Sequence, residues 1–401
     1  MSVPYQRLTR IDGRWRWWRP LVALAVLVGW WVVSQVLIVI AFTIPIGATS
    51  GADGLIDFEQ KLSSGALDPT DPLTLSVSLV SLVVLLPGIV VAVRIAGLGR
   101  GVLSSVRFRV RWGWTAWCLI PTLVIAAIMF VVQALYPFGD GMITGEGWNH
   151  AAIGQSTVTL STLVLTIALV VVLVPFQGAA EEYIFRGFLM QTIASWIPRR
   201  AGTVIAVVVS TVVFASLHIP NGYNVWGILD VGSFGLVAAI IVLRTGGLEA
   251  TVLQHAFNNI MIFVLQAPGW SRIDLQSQND NSTWQSWLVS LGTSLVYWGM
   301  IELLAKWRRL DRRSAAHEAP RFRGPVPAWA GGPRWTRPGG SGWDCTPAHA
   351  AGTAGSGPVD DAGAAGTAGS GPVDDAGAAG GTGPVDGVDA VDTTAGVAGR
   401  S

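Results

Sequence analysis

Charge is what this chain has least of. Asp, Glu, Lys and Arg make up 13% of 401 residues, against 51% apolar residues and a mean hydropathy of +0.50. That composition excludes a soluble protein of this length and points to a polytopic membrane protein. Cysteine is nearly absent too. Cys118 in an apolar run and Cys345 near the C-terminus exclude a disulfide framework and a cysteine metal site. Basic residues are missing from alternate loops, where only Lys61 and Arg272 stand among Asp53, Asp57, Glu59, Asp68, Asp71, Asp140 and Glu146.

What remains is apolar sequence in long runs. Segments of spanning length fall at about 20–47, 73–98, 113–137, 160–197, 201–219, 225–243, 248–266 and 284–305. They predict an all-α bundle of about eight transmembrane helices. The first run follows Arg7, Arg10, Arg14, Arg16 and Arg19 and is too long for a signal-peptide core, so it reads as a retained span. The remaining Lys and Arg gather around 94–111, at Arg199 and Arg200, at Arg244 and from Lys306, all on one side of such a bundle. By the positive-inside rule that side is the cytoplasm, which puts both termini there. The fourth segment would be about 57 Å long as a straight helix, so it must tilt, kink at Pro175 or project from the bilayer.

The domain reading is a basic N-terminus over 1–19, a transmembrane domain over 20–313 and a tail over 314–401. The tail is rich in Gly, Ala, Pro, Thr and Asp and carries the 14-residue unit AGTAGSGPVDDAGA twice, at 351–364 and 365–378. Such a tail cannot bury a core and is expected to be disordered.

Within the apolar runs, EEYIFR over 181–186 places three ionisable side chains together. A charge near the bilayer centre costs roughly 2.5 to 3.5 kcal/mol on insertion scales, so such groups usually face a cavity and act there. On a helix Glu182 and Arg186 are four apart and share a face, where they neutralise each other. Glu181 is turned about 100° away and lacks a local ionic partner. His218 in FASLH lies as far beyond the turn at Arg199 and Arg200 as Glu181 lies before it, so an antiparallel hairpin returns the two to one depth. In HAFNN, His255 and Asn259 share one face of the seventh span.

EEYIFR, FASLH and HAFNN together resemble the EExxxR, FxxxH and HxxxN motifs of the CPBP family, also called Abi or type II CAAX prenyl protease-like intramembrane proteases. The match runs through Glu181, Glu182, Arg186, Phe214, His218, His255 and Asn259 and covers about 160–266. The resemblance implies an endopeptidase in a bacterial plasma membrane, with Glu181, Glu182, His218, His255 and Asn259 as its catalytic set. In it Glu181 and His218 position and deprotonate a water, and His255 and Asn259 stabilise the oxyanion. Arg186 and Phe214 support the site. Family members are often called metalloproteases, and Glu181, His218 and His255 offer three ligands for a divalent ion such as zinc. The spacing leaves the metal open, because no HExxH places two ligands on one helix. The aspartyl GxGD signature is absent as well, and a GxSG at Gly339 to Gly342 falls in the tail as a chance match.

Plainer readings stand beside these. Glu182 and Arg186 form a structural ion pair, His218, Asn258 and Asn259 serve as interhelical hydrogen-bond glue, and Phe214 packs. Asp230, Glu249 and Glu302 belong to loop-proximal or packing roles, Glu249 at a helix N-terminus. A noncatalytic scaffold or immunity-type protein of the same fold is one alternative function. A transporter is another, against which the sequence has no internal repeat of hydropathy. The expected partners are the bilayer and a membrane protein or peptide substrate, prenylated or not, and no nucleic acid. Oligomeric state stays open.

Overall fold

The computed structural model describes residues 2–11, 15–63, 70–99, 101–135, 156, 158–197, 200–268 and 282–315. Its ten α-helices are α1 (Arg19–Ser63), α2 (Pro72–Val83), α3 (Leu85–Ile95), α4 (Trp112–Leu135), α5 (Leu160–Glu182), α6 (Met190–Trp196), α7 (Arg200–Ser216), α8 (Val225–Thr245), α9 (Glu249–Gln266) and α10 (Trp284–Trp307). Strands β1 (Ser2–Pro4) and β2 (Arg313–Ala315) form a small antiparallel ribbon. Seven helices among the described residues are long and apolar enough to cross a membrane, and the protein is an integral membrane protein. Their outward faces are apolar, as at Leu37 (61% exposed) on α1 and Val212 (59%) on α7. A helix apolar all round suits lipid on one side and protein on the other.

The eighth expected span does form a helix. Over its 18 residues α9 covers about 27 Å, but it carries Glu249, Gln254, His255, Asn258, Asn259 and Gln266 and so falls short of the other seven in hydropathy. It is an interior helix. It packs against α5, α4 and α8, while α5 packs against α2, α3 and α9. Between them Leu75 and Leu79 of α2, Val170 and Val174 of α5 and Phe263 of α9 form one buried cluster.

Several apolar runs are less regular than their sequence suggests. In α1 the backbone turns at Gly51, whose φ of 66° is open to glycine at little cost. The second run divides at Val84, whose carbonyl accepts the Trp30 indole N–H at 2.8 Å. Gly88 makes room for that indole, since a Cβ there would lie 2.5 Å from Trp30 Cδ1. In the long fourth run Pro175 stays within α5. The departure from α geometry comes later, as a π-helical turn over Tyr183–Leu189 between α5 and α6.

The loops rich in Arg meet at one end of the bundle. Arg111, at the start of α4, donates from Nε and Nη2 to Glu249 at 2.8 and 2.7 Å, and from Nη1 to the carbonyls of Thr245 and Asp311. This ties α4 to the α8–α9 turn and to the chain after α10. Glu302 takes Arg244 and Arg312. Thr9 meets Ser195 at 2.8 Å, and Gln191 donates to the Val102 carbonyl. The buried Tyr5 hydroxyl donates to the carbonyl of Leu103, and burial pushes this phenol well above the ordinary tyrosine range, so it stays a donor. The tail expected from Ser314 is ordered at its start, where Ser314 and Ala315 pair with Val3 and Ser2 in the ribbon. Residues 316–401, with the tandem repeat, lie outside the described residues, as do Asp68, Asp140, Glu146 and Arg272.

Candidate functional site

Glu181 and Glu182 are the last two residues of α5, and the π turn that follows carries Arg186. Widened turns of this kind often mark functional positions in long helices. The expected four-residue pairing survives it. Arg186 Nη1 donates to Glu182 Oε1 at 2.8 Å, with both side chains fully buried. The guanidinium also lies 4.1 Å from the centre of the Phe214 ring, a cation–π contact from α7. Gly235 on α8 leaves space for the stack, because a Cβ there would sit 3.0 Å from Arg186 Nη2.

From α9, His255 Nδ1 lies 3.1 Å from the same Glu182 oxygen. A carboxylate only accepts, so this ring nitrogen holds the proton and Nε2 is left as the free position. Nε2 faces Glu181 Oε2 at 3.7 Å, beyond direct hydrogen-bond range. The approach of α9 to α5 is possible because residue 178 is glycine: a Cβ would stand 3.3 Å from Ala256 N and 3.5 Å from His255 Cγ. About 9 Å of helix separate His255 from Glu249 at the basic end, and about 15 Å separate Asn259 from it.

The other carboxylate has a partner that motif reading overlooks. Gln177, buried one turn before Glu181, donates from Nε2 to Glu181 Oε1 and accepts Asn259 Nδ2 at 3.1 Å on its own Oε1. Asn258 in turn donates to Asn259 Oδ1 at 3.3 Å. The direction of this amide chain follows from its end, where Glu181 Oε1 receives the Gln177 N–H, which turns each amide in sequence. The signal was available: Gln177 is the only amide in the apolar run over 160–180, four residues before Glu181. Glu181 Oε2 is left buried and without a hydrogen-bond partner.

His218 lies near the end of its span. Helix α7 ends at Ser216, so His218 sits half-buried in the turn beyond it, still within the apolar span Arg200–Asn221. Its Nδ1 lies 2.8 Å from the carbonyl of Phe214, one of the free carbonyls at the helix end, and so must donate. Nε2 is thereby the acceptor. Phe214 stands between the two histidines, its ring 4.8 Å from His218 and 6.1 Å from His255. No hydrogen bond or ion pair joins His218 to Glu181 or His255 among the described residues.

The structure thus brings Glu181, Glu182, Arg186, His255 and Asn259 into one polar cluster and holds His218 across Phe214 from it. Among the described residues no group of three His, Cys, Asp or Glu side chains is disposed to hold a metal ion. Glu182 is committed to Arg186 and His255, and the set Glu181, His218 and His255 is not drawn together, so the donors as arranged do not fit a three-ligand ion.

The cluster of Glu, His and Asn side chains thus lies between α5 and α9 of a multi-span helical bundle. Residues 160–261 match the family model described as type II CAAX prenyl endopeptidase Rce1-like, and this segment contains all three motifs. The chain also resembles an uncharacterized protein, YyaK, of Bacillus subtilis (strain 168), with 26% identity over 257 residues covering 63% of this chain and 79% of that protein. No solved structure is a match.

Proposed function

We propose that this protein is an intramembrane endopeptidase that hydrolyses peptide bonds of membrane-associated proteins or peptides, with Glu181 as general base. One observation carries the reading: in a cluster whose other carboxylate is doubly paired, Glu181 Oε2 is buried, unpartnered and 3.7 Å from His255 Nε2. A water bound beside these atoms would donate to Glu181 Oε2 and keep an oxygen lone pair for a bound carbonyl. Glu181 takes the proton as the oxygen attacks.

The remaining residues act on that step. Glu182 holds His255 by Nδ1, and an imidazolium held in this way would present a donor at Nε2 for the oxyanion. Asn259 keeps a second Nδ2 hydrogen for the same purpose, its first being held by Gln177. His218 presents Nε2 as an acceptor from the far side of Phe214, where it can orient the water or the substrate amide. Arg186 offsets the charge of Glu182, without which that buried carboxylate would be costly. No step is routed through zinc or another divalent ion, since the expected ligands are not assembled.

By the positive-inside rule the Arg-rich end faces the cytoplasm, in a bacterial plasma membrane, and the site lies within the cytoplasmic half of the bilayer. The scaffold reading is disfavoured by the open valence on Glu181, because a purely structural cluster saturates its buried polar atoms. The test is a comparison by mass spectrometry of protein N-termini in native-host membranes carrying either the intact chain or Glu181→Ala at equal abundance. Termini found only with the intact chain support proteolysis and identify substrates; identical sets, with Glu181→Ala restoring the phenotype of a deletion, overturn it.

A further inference from the structure

Two groups stand out among the charges at the basic end. Arg107, Arg111, Arg244 and Arg312 are neutralised by Asp311, Glu249 and Glu302. Lys306, Arg308 and Arg309, at the end of α10, pair with no acidic side chain among the described residues. Of these Arg308 alone is held in place. Its guanidinium lies 4.8 Å from the Trp117 ring on α4 and 5.6 Å from the Trp307 ring, and the two indoles meet edge to face at 5.2 Å. Stacking on a ring face leaves the N–H donors at the guanidinium edge free for an anion.

Deeper along α4, Val124, Ala127, Ile128 and Val131 line a shallow apolar groove of about 360 Å³ that is open to the surrounding surface. Trp117 and Val124 are seven residues apart, about two turns, so the groove continues the face that holds Arg308. From Trp117 to Val131 the helix rises about 21 Å, close to half of the roughly 40 Å that a bilayer spans with its headgroups. A cation fixed at headgroup level above a groove one leaflet deep matches one kind of molecule.

We propose that the α4–α10 face is a specific site for an anionic phospholipid, with its phosphate on Arg308 between Trp117 and Trp307 and an acyl chain along Val124 to Val131. The site is separate from the Glu181 cluster and does not rest on the hydrolytic reading. General attraction of an Arg-rich surface for anionic lipid would use Arg309 and Lys306 as much as Arg308, whereas this site depends on Arg308 and on the groove.

Native mass spectrometry of the full chain in detergent tests this, titrating dioleoyl phosphatidylglycerol against dioleoyl phosphatidylcholine. The expected result is one phosphatidylglycerol retained at least about tenfold more tightly than phosphatidylcholine. Arg308→Gln and Ala127→Trp, both at exposed positions, should each abolish that preference, and Arg309→Gln should keep it. Equal retention of the two lipids, or equal losses from Arg308→Gln and Arg309→Gln, would overturn the proposal. So would a farnesylated peptide taking the groove while phosphatidylglycerol does not.

Discussion

Two buried Arg–Glu pairs in this molecule have the same chemistry and opposite completeness. At the basic end Arg111 and Glu249 join by two parallel hydrogen bonds, Glu249 also takes the Arg111 backbone N–H, and the remaining guanidinium nitrogen reaches two carbonyls. In the membrane Arg186 and Glu182 share a single bond at 2.8 Å, and Arg186 Nε and Nη2, Glu182 Oε2 and Glu181 Oε2 have no hydrogen-bond partner. A saturated network fixes a fold, whereas this one leaves buried polar atoms of Arg186 and of both carboxylates without hydrogen-bond partners. The first pair anchors the start of α9, and the second organises the groups that α9 presents.

The largest expected effect separates chemistry from support within the second network. Glu181→Gln keeps the shape but removes the base, and cleavage of a substrate found by N-terminal comparison should fall at least about a thousandfold, with membrane abundance unchanged. Next, Arg186→Ala strands a buried carboxylate and should cost about 3–5 kcal/mol, seen as lost folded protein and a lower unfolding midpoint. Replacing the pair together, Glu182→Met with Arg186→Met, should recover abundance without recovering cleavage. At the basic end Arg111→Ala should lose stability on the same scale, yet cleavage per folded molecule should stay within a few-fold of the parent. If it fell as far as in Glu181→Gln, the division between the two pairs would be wrong. Gln177→Leu removes the bridge between Glu181 and Asn259 and should lower kcat about tenfold with little change in KM. Smallest is Tyr5→Phe, which deletes the bond to the Leu103 carbonyl and should cost about 1 kcal/mol in thermal or denaturant unfolding with normal turnover.

What could be read ahead of the structure was what one helix decides by itself. Spacing alone gives the Glu182–Arg186 pair and the shared face of His255 and Asn259, and composition gives the spans. The amide chain from Asn258 to Glu181 crosses from α9 to α5, and no periodicity within either helix announces which faces meet. The same limit hid the second partner of Glu182, because the close passage at Gly178 that sets His255 Nδ1 on that carboxylate has no mark in either helix alone. The apolar run continues to Ile219 and gives no sign that the helix itself stops at Ser216, where the His218 ring caps it within the span. The length of the fourth run pointed to an irregularity, and Pro175 was one expected place for it. A π turn has no comparable sequence mark, so its position at Tyr183 to Leu189 was not legible.

The central claim is that Glu181 is the reactive carboxylate and Glu182 its charge-balanced support. It is tested most directly by measuring turnover and unfolding midpoint side by side for Glu181→Gln and Glu182→Gln on one identified substrate. The account predicts that Glu181→Gln is inactive with an unshifted midpoint, and that Glu182→Gln unfolds markedly earlier because Arg186 loses its counter-charge. Full turnover by Glu181→Gln, or an unshifted midpoint for Glu182→Gln, would contradict it.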